Sequence, residues 1–410
     1  MKNKERRIQY TKANLFPSLR GELGKGVKNK KSNMLTNLLP FGKIREGLRC
    51  AVLITAIAFT FSATAQTKDA IVVELHQAPG QFVNIIPEAD ENTTQEEACQ
   101  RANDLLKNND VVSLGSYGGY ITLKFDHQVE NKPGSDLLIL GNGYYAADDP
   151  VYGKETIGGS IEPGIVSVGV GQDPKTATWY ELAGSEYFNS EIHDFKIKFF
   201  KPESEEVGNE YVRWECSWTD KDGTPRDSTG YNAKLAAHRQ SYWPLYEKAD
   251  ELTFQGGKLP NNAIDQSGKG TYWVQYRYSA ESYGYADACP TNDSIASSFD
   301  IDWAVDNEGR QVRLEKIDFV RIHTGLLQNC GWIGETSTEV RAVSDLHLIS
   351  GYDDNPYIIT PRPNPNGMSG INNTTIHTQS SNTYYNIMGQ RVDELRRGQI
   401  YICNGKKIRM

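Results

Sequence analysis

The sequence predicts an all-β fold, with one helix near the start of the folded region and a small β-hairpin at the end. Two observations lead there. Between residues 70 and 350, short apolar-alternating runs recur, each bounded by Gly, Pro, Asn or Asp. That is the period-2 pattern of half-buried strands. The best helical stretch is Thr94–Asn108, where Thr94 and Glu97 make a capping box. Ala98, Ala102, Leu105 and Leu106 then form its apolar stripe, and the expected role is a lid on one sheet face.

The strands follow in order. Ala70–Leu75 alternates and leads through Pro79-Gly80 toward the helix. Within Leu114–Leu182, the runs Tyr120–Phe125 and Asp136–Leu140 flank Asn131, Pro133 and Gly134, the pattern of strand, turn, strand. Gly164–Gly169 and a run starting near Trp179 come next. Phe195–Phe200 and Tyr211–Trp218 are clear strands, the second placing Val212, Trp214, Cys216 and Trp218 on one face. Trp218–Tyr231 reads as a charged loop, and Tyr242–Tyr246 (YWPLY) as an aromatic cluster beside a proline. Glu251–Leu259, Thr271–Tyr278, Phe299–Val305, Ile317–Thr324 and Val340–Ile349 complete the set. Each run is too short to bury its apolar face alone, so residues 66–350 are expected to form one β-sandwich domain.

The flanks differ in character. Leu48–Gln66 (LRCAVLITAIAFTFSATAQ) has a basic start, an apolar run and small residues before Gln66, the layout of a signal peptide cleaved after Ala65. The apolar run is shorter than a membrane span. Residues 1–65 are therefore expected to be an extension and signal, leaving no transmembrane segment in the mature chain. They hold 13 Lys+Arg and 3 Asp+Glu, so 31 basic and 49 acidic residues remain, a net charge of −18. That balance argues against nucleic acid and anionic membrane as partners, because both require cationic patches. Residues 351–382 have linker composition. Tyr384–Met410 alternates again as the terminal hairpin.

Cys99, Cys216, Cys289, Cys330 and Cys403 remain beyond the signal, without CxxC spacing. Export permits disulfides; Cys289 with Cys330 is the first pairing to test, beside free buried thiols. The chain has no GxSxG, HExxH or P-loop.

Three kinds of chemistry stay open. The loop Gly141–Ser160 carries Asp148, Asp149 and Glu155 with almost no apolar anchor, and loops of such length usually bind something. Asp136, Asn142 and Glu162 border it, and hard cations such as calcium take loop carboxylate, amide and carbonyl oxygens. These three are the expected calcium ligands. Aromatic faces stack on sugar rings or flat cofactors, which makes Trp243, Trp273, Tyr283, Tyr285 and Trp332 the candidate ligand-binding residues. Tyr246 belongs to the same aromatic group, while Trp179 and Trp303 read as core. Asp126, Asp136, Glu162, Asp302 and Glu335 would be the acids of a glycosidase, if any two lay at the right separation.

Three blocks carry a resemblance: GSYGGYITLKFDHQVENKPGSDLLILGN at 115–142, EPGIVSVGVG and TWYELAGSEY within 162–187, and FDIDWAVDNEGRQVRLEKIDFVRIHTG with GETSTEVRAVSDLHL within 299–348. In this order they resemble a family of exported bacterial cell-surface proteins. The resemblance implies a jelly-roll-like β-sandwich of the galactose-binding type, with no catalytic residues to carry over. Residues 384–410 (YYNIMGQRVDELRRGQIYICNGKKIRM) are similar to the C-terminal sorting-type hairpin of exported Bacteroidetes proteins. Together these imply a cell-surface or extracellular protein of a Gram-negative envelope. The expected activity is capture of a glycan or small nutrient beside an outer-membrane uptake system. A glycoside hydrolase or lyase, and a structural or adhesive surface protein, are the alternatives.

Overall fold

The computed structural model describes residues 66–145, 158–279, 282–293 and 296–350, together with four short strands of the tail. The segments read as signal peptide and as linker, and most of the long loop Gly141–Ser160, lie outside the described residues. The described chain is mostly β, built from several antiparallel sheets and one α-helix. Among the described residues, no helix is long and apolar enough to cross a membrane.

The main sheet has seven strands. Ile71–His76, Tyr120–Glu130, Lys316–Thr324, Gly164–Val170, Thr178–Leu182 and Ala304–Val305 lie side by side, and Tyr285–Ala286 pairs with Gly164–Val170. Alternation decides its two faces. Val320 and Ile322 of the central strand stand in register with Leu123, Ile121, Val168 and Val166, and all of them enter one apolar core. The opposite wall of that core includes the sheet of Ser298–Phe299, Leu137–Leu140 and Ala342–Asp345, which contributes Phe299, Leu137, Ile139 and Val343. Each of these side chains contributes about 1.5–3 kcal/mol by burial.

The helix runs Gln95–Lys107 behind its Thr94–Glu97 capping box and buries Ala98, Cys99 and Ala102. It closes an edge of the main sheet. Asn103 accepts from the backbone N–H of Val72 at 2.7 Å and donates to the Val72 carbonyl at 3.0 Å. One side chain thus takes the place of a neighbouring strand where Ile71–His76 would otherwise be an open edge.

An outer sheet of four strands (Pro225–Lys234, Gly208–Thr219, Ile192–Phe200, Glu251–Lys258) holds a second core around Phe195, Ile197, Phe199, Tyr242 and Trp243. A small sheet of Ala263–Asp265, Trp273–Tyr276, Gly158–Ser160 and Tyr144–Tyr145 stands apart from both cores. In the tail, Ile400–Cys403 pairs with Lys406–Arg409, and Tyr384–Tyr385 pairs with Arg391–Val392 and Ile400–Cys403.

The two runs around Asn131, Pro133 and Gly134 fall in the strands Tyr120–Glu130 and Leu137–Leu140, as expected, and these join different sheets: the first pairs with Ile71–His76 and Lys316–Thr324, the second lies in the three-stranded sheet. Three expectations require correction. Part of the charged loop 218–231 is the edge strand Pro225–Lys234, whose first half is exposed on both faces and so shows no alternation. Phe299–Val305 is interrupted by the 3-10 turn Ile301–Trp303, where Asp300 caps the N–H of Asp302. Cys99, Cys216, Cys289 and Cys330 are all free and buried, so Cys289 and Cys330 do not form a disulfide.

Candidate metal centre and aromatic rim

Three acids from distant parts of the chain meet beside the small sheet. Glu162, Asp287 and Glu339 each bring a carboxylate oxygen to within 4.8 Å of the other two. Each is held by a local device. Glu162 follows the strand Gly158–Ser160, and its backbone N–H donates to the Asp287 carbonyl at 3.1 Å. Asp287 ends the strand Tyr285–Ala286 with φ of +54°, a left-handed conformation that aspartate tolerates better than most side chains. Glu339 opens the strand Glu339–Val340, paired with Val112–Ser113.

Backbone donors fix Asp287. Its Oδ1 accepts from the N–H groups of Asn142 at 2.7 Å and Gly143 at 2.8 Å, and its Oδ2 accepts from the N–H of Glu339 at 2.9 Å. A Cβ on Gly141 would overlap Asp287 Oδ1, which is why the chain passes the acid at a glycine. Gln275, on the strand Trp273–Tyr276, donates to Glu162 Oε1 at 3.1 Å and ties the triad to the small sheet. Among the described residues, no lysine or arginine pairs with any of the three acids.

Burial pushes all three carboxyl groups above their ordinary range, and for Asp287 and Glu339 the neighbouring carboxylates add to it. For Asp287 burial acts first and the charge of Glu162 second. For Glu339 burial is joined by Glu162 and Asp287. For Glu162 burial is opposed by the Gln275 hydrogen bond. Next to them, Glu335 is buried too and its carboxyl is raised to about 8, mainly by burial. Its Oε1 accepts from the N–H of Gln81 at 2.5 Å, while Oε2 has no hydrogen-bond partner. Three adjoining carboxylates without a cation offer an all-oxygen donor set, which suits a hard metal ion. The triad could hold one.

Aromatic side chains rim the same region. Trp332 is 63 % exposed, yet its Nε1 is anchored to the Thr271 carbonyl at 3.0 Å. Tyr272 beside that carbonyl is 48 % exposed, and Tyr144 across the small sheet is 61 % exposed. Trp273 is half-buried against Gly331, where only a glycine fits beneath the indole nitrogen.

The expected site residues fall into separate groups. Glu162 is in the triad, and Asn142 touches it through its backbone N–H. Asp136 is elsewhere: fully buried, it accepts from the N–H groups of Lys132 and Ile301 and lies 3.1 Å from His347 Nε2. Trp332 and Trp273 come together around Thr271 and Gly331. Trp243 is inside the second core, and Tyr283 packs edge-on against Trp303 at 5.0 Å. Tyr285 is buried, its hydroxyl accepting from the N–H of Glu186. Asp126 and Asp302 are bound separately, to Thr67 and Asn131.

Asp287 and Glu339 were missed in the sequence. The available signal was the run Glu335–Glu339 (ETSTE), five polar residues leading into a strand, every one of which is buried. Buried polar side chains in series require partners, and here two of the five are acids facing other acids. No protein-family model matches the chain, and no curated protein matches it significantly.

Proposed function

We propose that this is an exported cell-surface binding protein whose jelly-roll-like sandwich captures a glycan at the small sheet, with calcium at Glu162, Asp287 and Glu339. The observation that carries the reading is Trp332: a largely exposed indole, fixed by a hydrogen bond and neighboured by the exposed Tyr272. A fixed aromatic face costs little ordering on binding and suits the apolar face of a sugar ring. The calcium assignment rests on the all-oxygen donor set and on the absence of a cationic partner among the described residues. In this reading calcium pins Gly141–Gly143 and the strand bearing Gln275, and so holds the rim in place.

The signal-like segment 48–66 and the sorting-type tail support export to the envelope of a Gram-negative bacterium. A small nutrient, captured beside an outer-membrane uptake protein, is the second ligand class. Incubating the protein with mixed glycans tests the reading: it predicts retention of a glycan without turnover. Release of shortened or unsaturated products would establish the hydrolase or lyase alternative. Retention of envelope proteins with no glycan would establish the adhesive one.

A further inference from the structure

The other face of the main sheet carries a polar row. Register places Glu74, Thr122, Arg321, Ser167 and Glu181 side by side across five strands. Arg321 donates to Glu74 at 2.9 Å and to Thr122 at 2.9 Å, and its guanidinium stacks on Trp179 at 4.0 Å. The cation of the row is therefore engaged at the Glu74 end. Glu181, at the other end, meets Glu191, the residue preceding the outer-sheet strand Ile192–Phe200.

These two carboxyl groups are in hydrogen-bond contact. Both oxygens of Glu191 and Oε1 of Glu181 are buried, and no other group donates a hydrogen bond to them. Ionised carboxylates only accept, so the contact is a hydrogen bond only when a proton sits between them. Gly257 of the strand Glu251–Lys258 closes the site: a Cβ there would overlap Glu191 Oε1. A proton is the cation that fits such a packed space.

We infer that Glu181 and Glu191 form a proton-binding site that latches the main sheet to the outer sheet, closed while one proton is shared and released when that proton leaves. Burial pushes Glu191 up to about 7 and Glu181 well above the usual carboxylate range, so the proton is held near neutral pH. Like charges in contact cannot both ionise without separating, and here separation means moving the start of Ile192–Phe200.

His193 Nδ1 lies 3.5 Å from Glu191 Oε1, and burial depresses its own basicity, as does Lys221. Glu186 adds a repelling charge on the same loop. Tyr117, Tyr187, Tyr278 and Tyr285 feel the pair and stay neutral, all shifted upward chiefly by burial. From the packed strands, Lys258 lies over the Phe195 ring, and His323, lowered to about 4 by burial, bonds the Gly257 carbonyl as the neutral ring.

Hydrogen exchange of the full chain across pH, corrected for intrinsic chemistry, tests the latch. Peptides covering Ile192–Phe200 and Glu251–Lys258 should lose protection above neutral pH by about tenfold per pH unit, the slope of one released proton. The central strand Lys316–Thr324 should keep its protection. Glu191→Gln and Glu181→Gln should each flatten the profile, because an amide donates at every pH, and His193→Ala should keep the slope. Infrared titration of the wild-type protein should show a protonated carboxyl band disappearing over the same range. A flat wild-type profile, a slope that survives both glutamine variants, or one abolished by His193→Ala would overturn the proposal.

Discussion

Asp287 accepts a hydrogen bond from the backbone N–H of Glu339 at 2.9 Å, so two acids of the triad are joined through the main chain. The Asp287 carboxylate cannot swing away from Glu339 without giving up that bond. Their repulsion must be met by protons or by a metal ion, and the two solutions respond differently to pH.

Without metal, the triad destabilises the protein as pH rises. Its carboxyl groups have folded-state pKa values raised above the unfolded ones, so their contribution is full below the ordinary carboxylate range and is lost as pH rises through the folded values. Calcium replaces those protons. Thermal melts should therefore show a calcium-dependent gain that grows from pH 5 to pH 8, reaching about 2.7 kcal/mol at a hundredfold excess over the Kd. Melts that coincide with calcium and with chelator at both pH values would rule this out.

Gly141→Ala should act on the metal through Asp287. The added Cβ overlaps Asp287 Oδ1 and must displace it or the chain. Calcium affinity is expected to fall about tenfold or more, the equivalent of about 1.4 kcal/mol. An unchanged calcium titration would show that Asp287 Oδ1 does not position the ion.

Two tryptophans that look alike in the sequence should behave oppositely. Trp332→Ala removes an exposed indole and should leave stability within about 0.5 kcal/mol. It should weaken glycan retention by about tenfold or more. Trp243→Ala empties a position in the second core and should cost about 3–5 kcal/mol in denaturant unfolding. Equal retention by wild type and Trp332→Ala would remove the aromatic platform from the site.

A chain of ion pairs makes the third test of pH. His347 lies 2.9 Å from Asp345 and 3.1 Å from Asp136, and Asp345 also bonds His127 at 2.9 Å. Burial opposes the charge on His347, but the two carboxylates prevail and raise it to about 9. Its stabilisation is thus complete below about 6.5 and is lost as pH rises through 9. Burial raises Asp345, but His347 and His127 outweigh it and hold the carboxyl low, so its share is present above 3.8 and is lost as pH falls. His347→Ala should cost about 3 kcal/mol at pH 7, with the difference from wild type shrinking toward pH 3 and toward pH 10. A pH-independent difference would mean that His347 acts by packing alone.

What could be read in the sequence was what is local. Thr94 and Glu97 announce their helix because the cap forms between neighbours, and Lys316–Thr324 announces its strand because both faces are patterned. Pro225–Lys234 was hidden because an exposed edge strand needs no alternation. The pairing of Tyr120–Glu130 with a strand nearly two hundred residues later was hidden because register between distant strands leaves no local trace. The same reason splits the site. Glu162 stands out at the end of a loop, but Asp287 and Glu339 join it only through sheet pairing. Trp332 and Trp243 both read as aromatic candidates, and only burial separates them.

The most direct test of the account is a calorimetric calcium titration of the wild-type protein and Asp287→Asn side by side. The account predicts one calcium ion bound per wild-type chain with release of protons, and at least about tenfold weaker binding in the variant. A wild-type protein that binds no calcium, or a variant that binds it equally well, would contradict it.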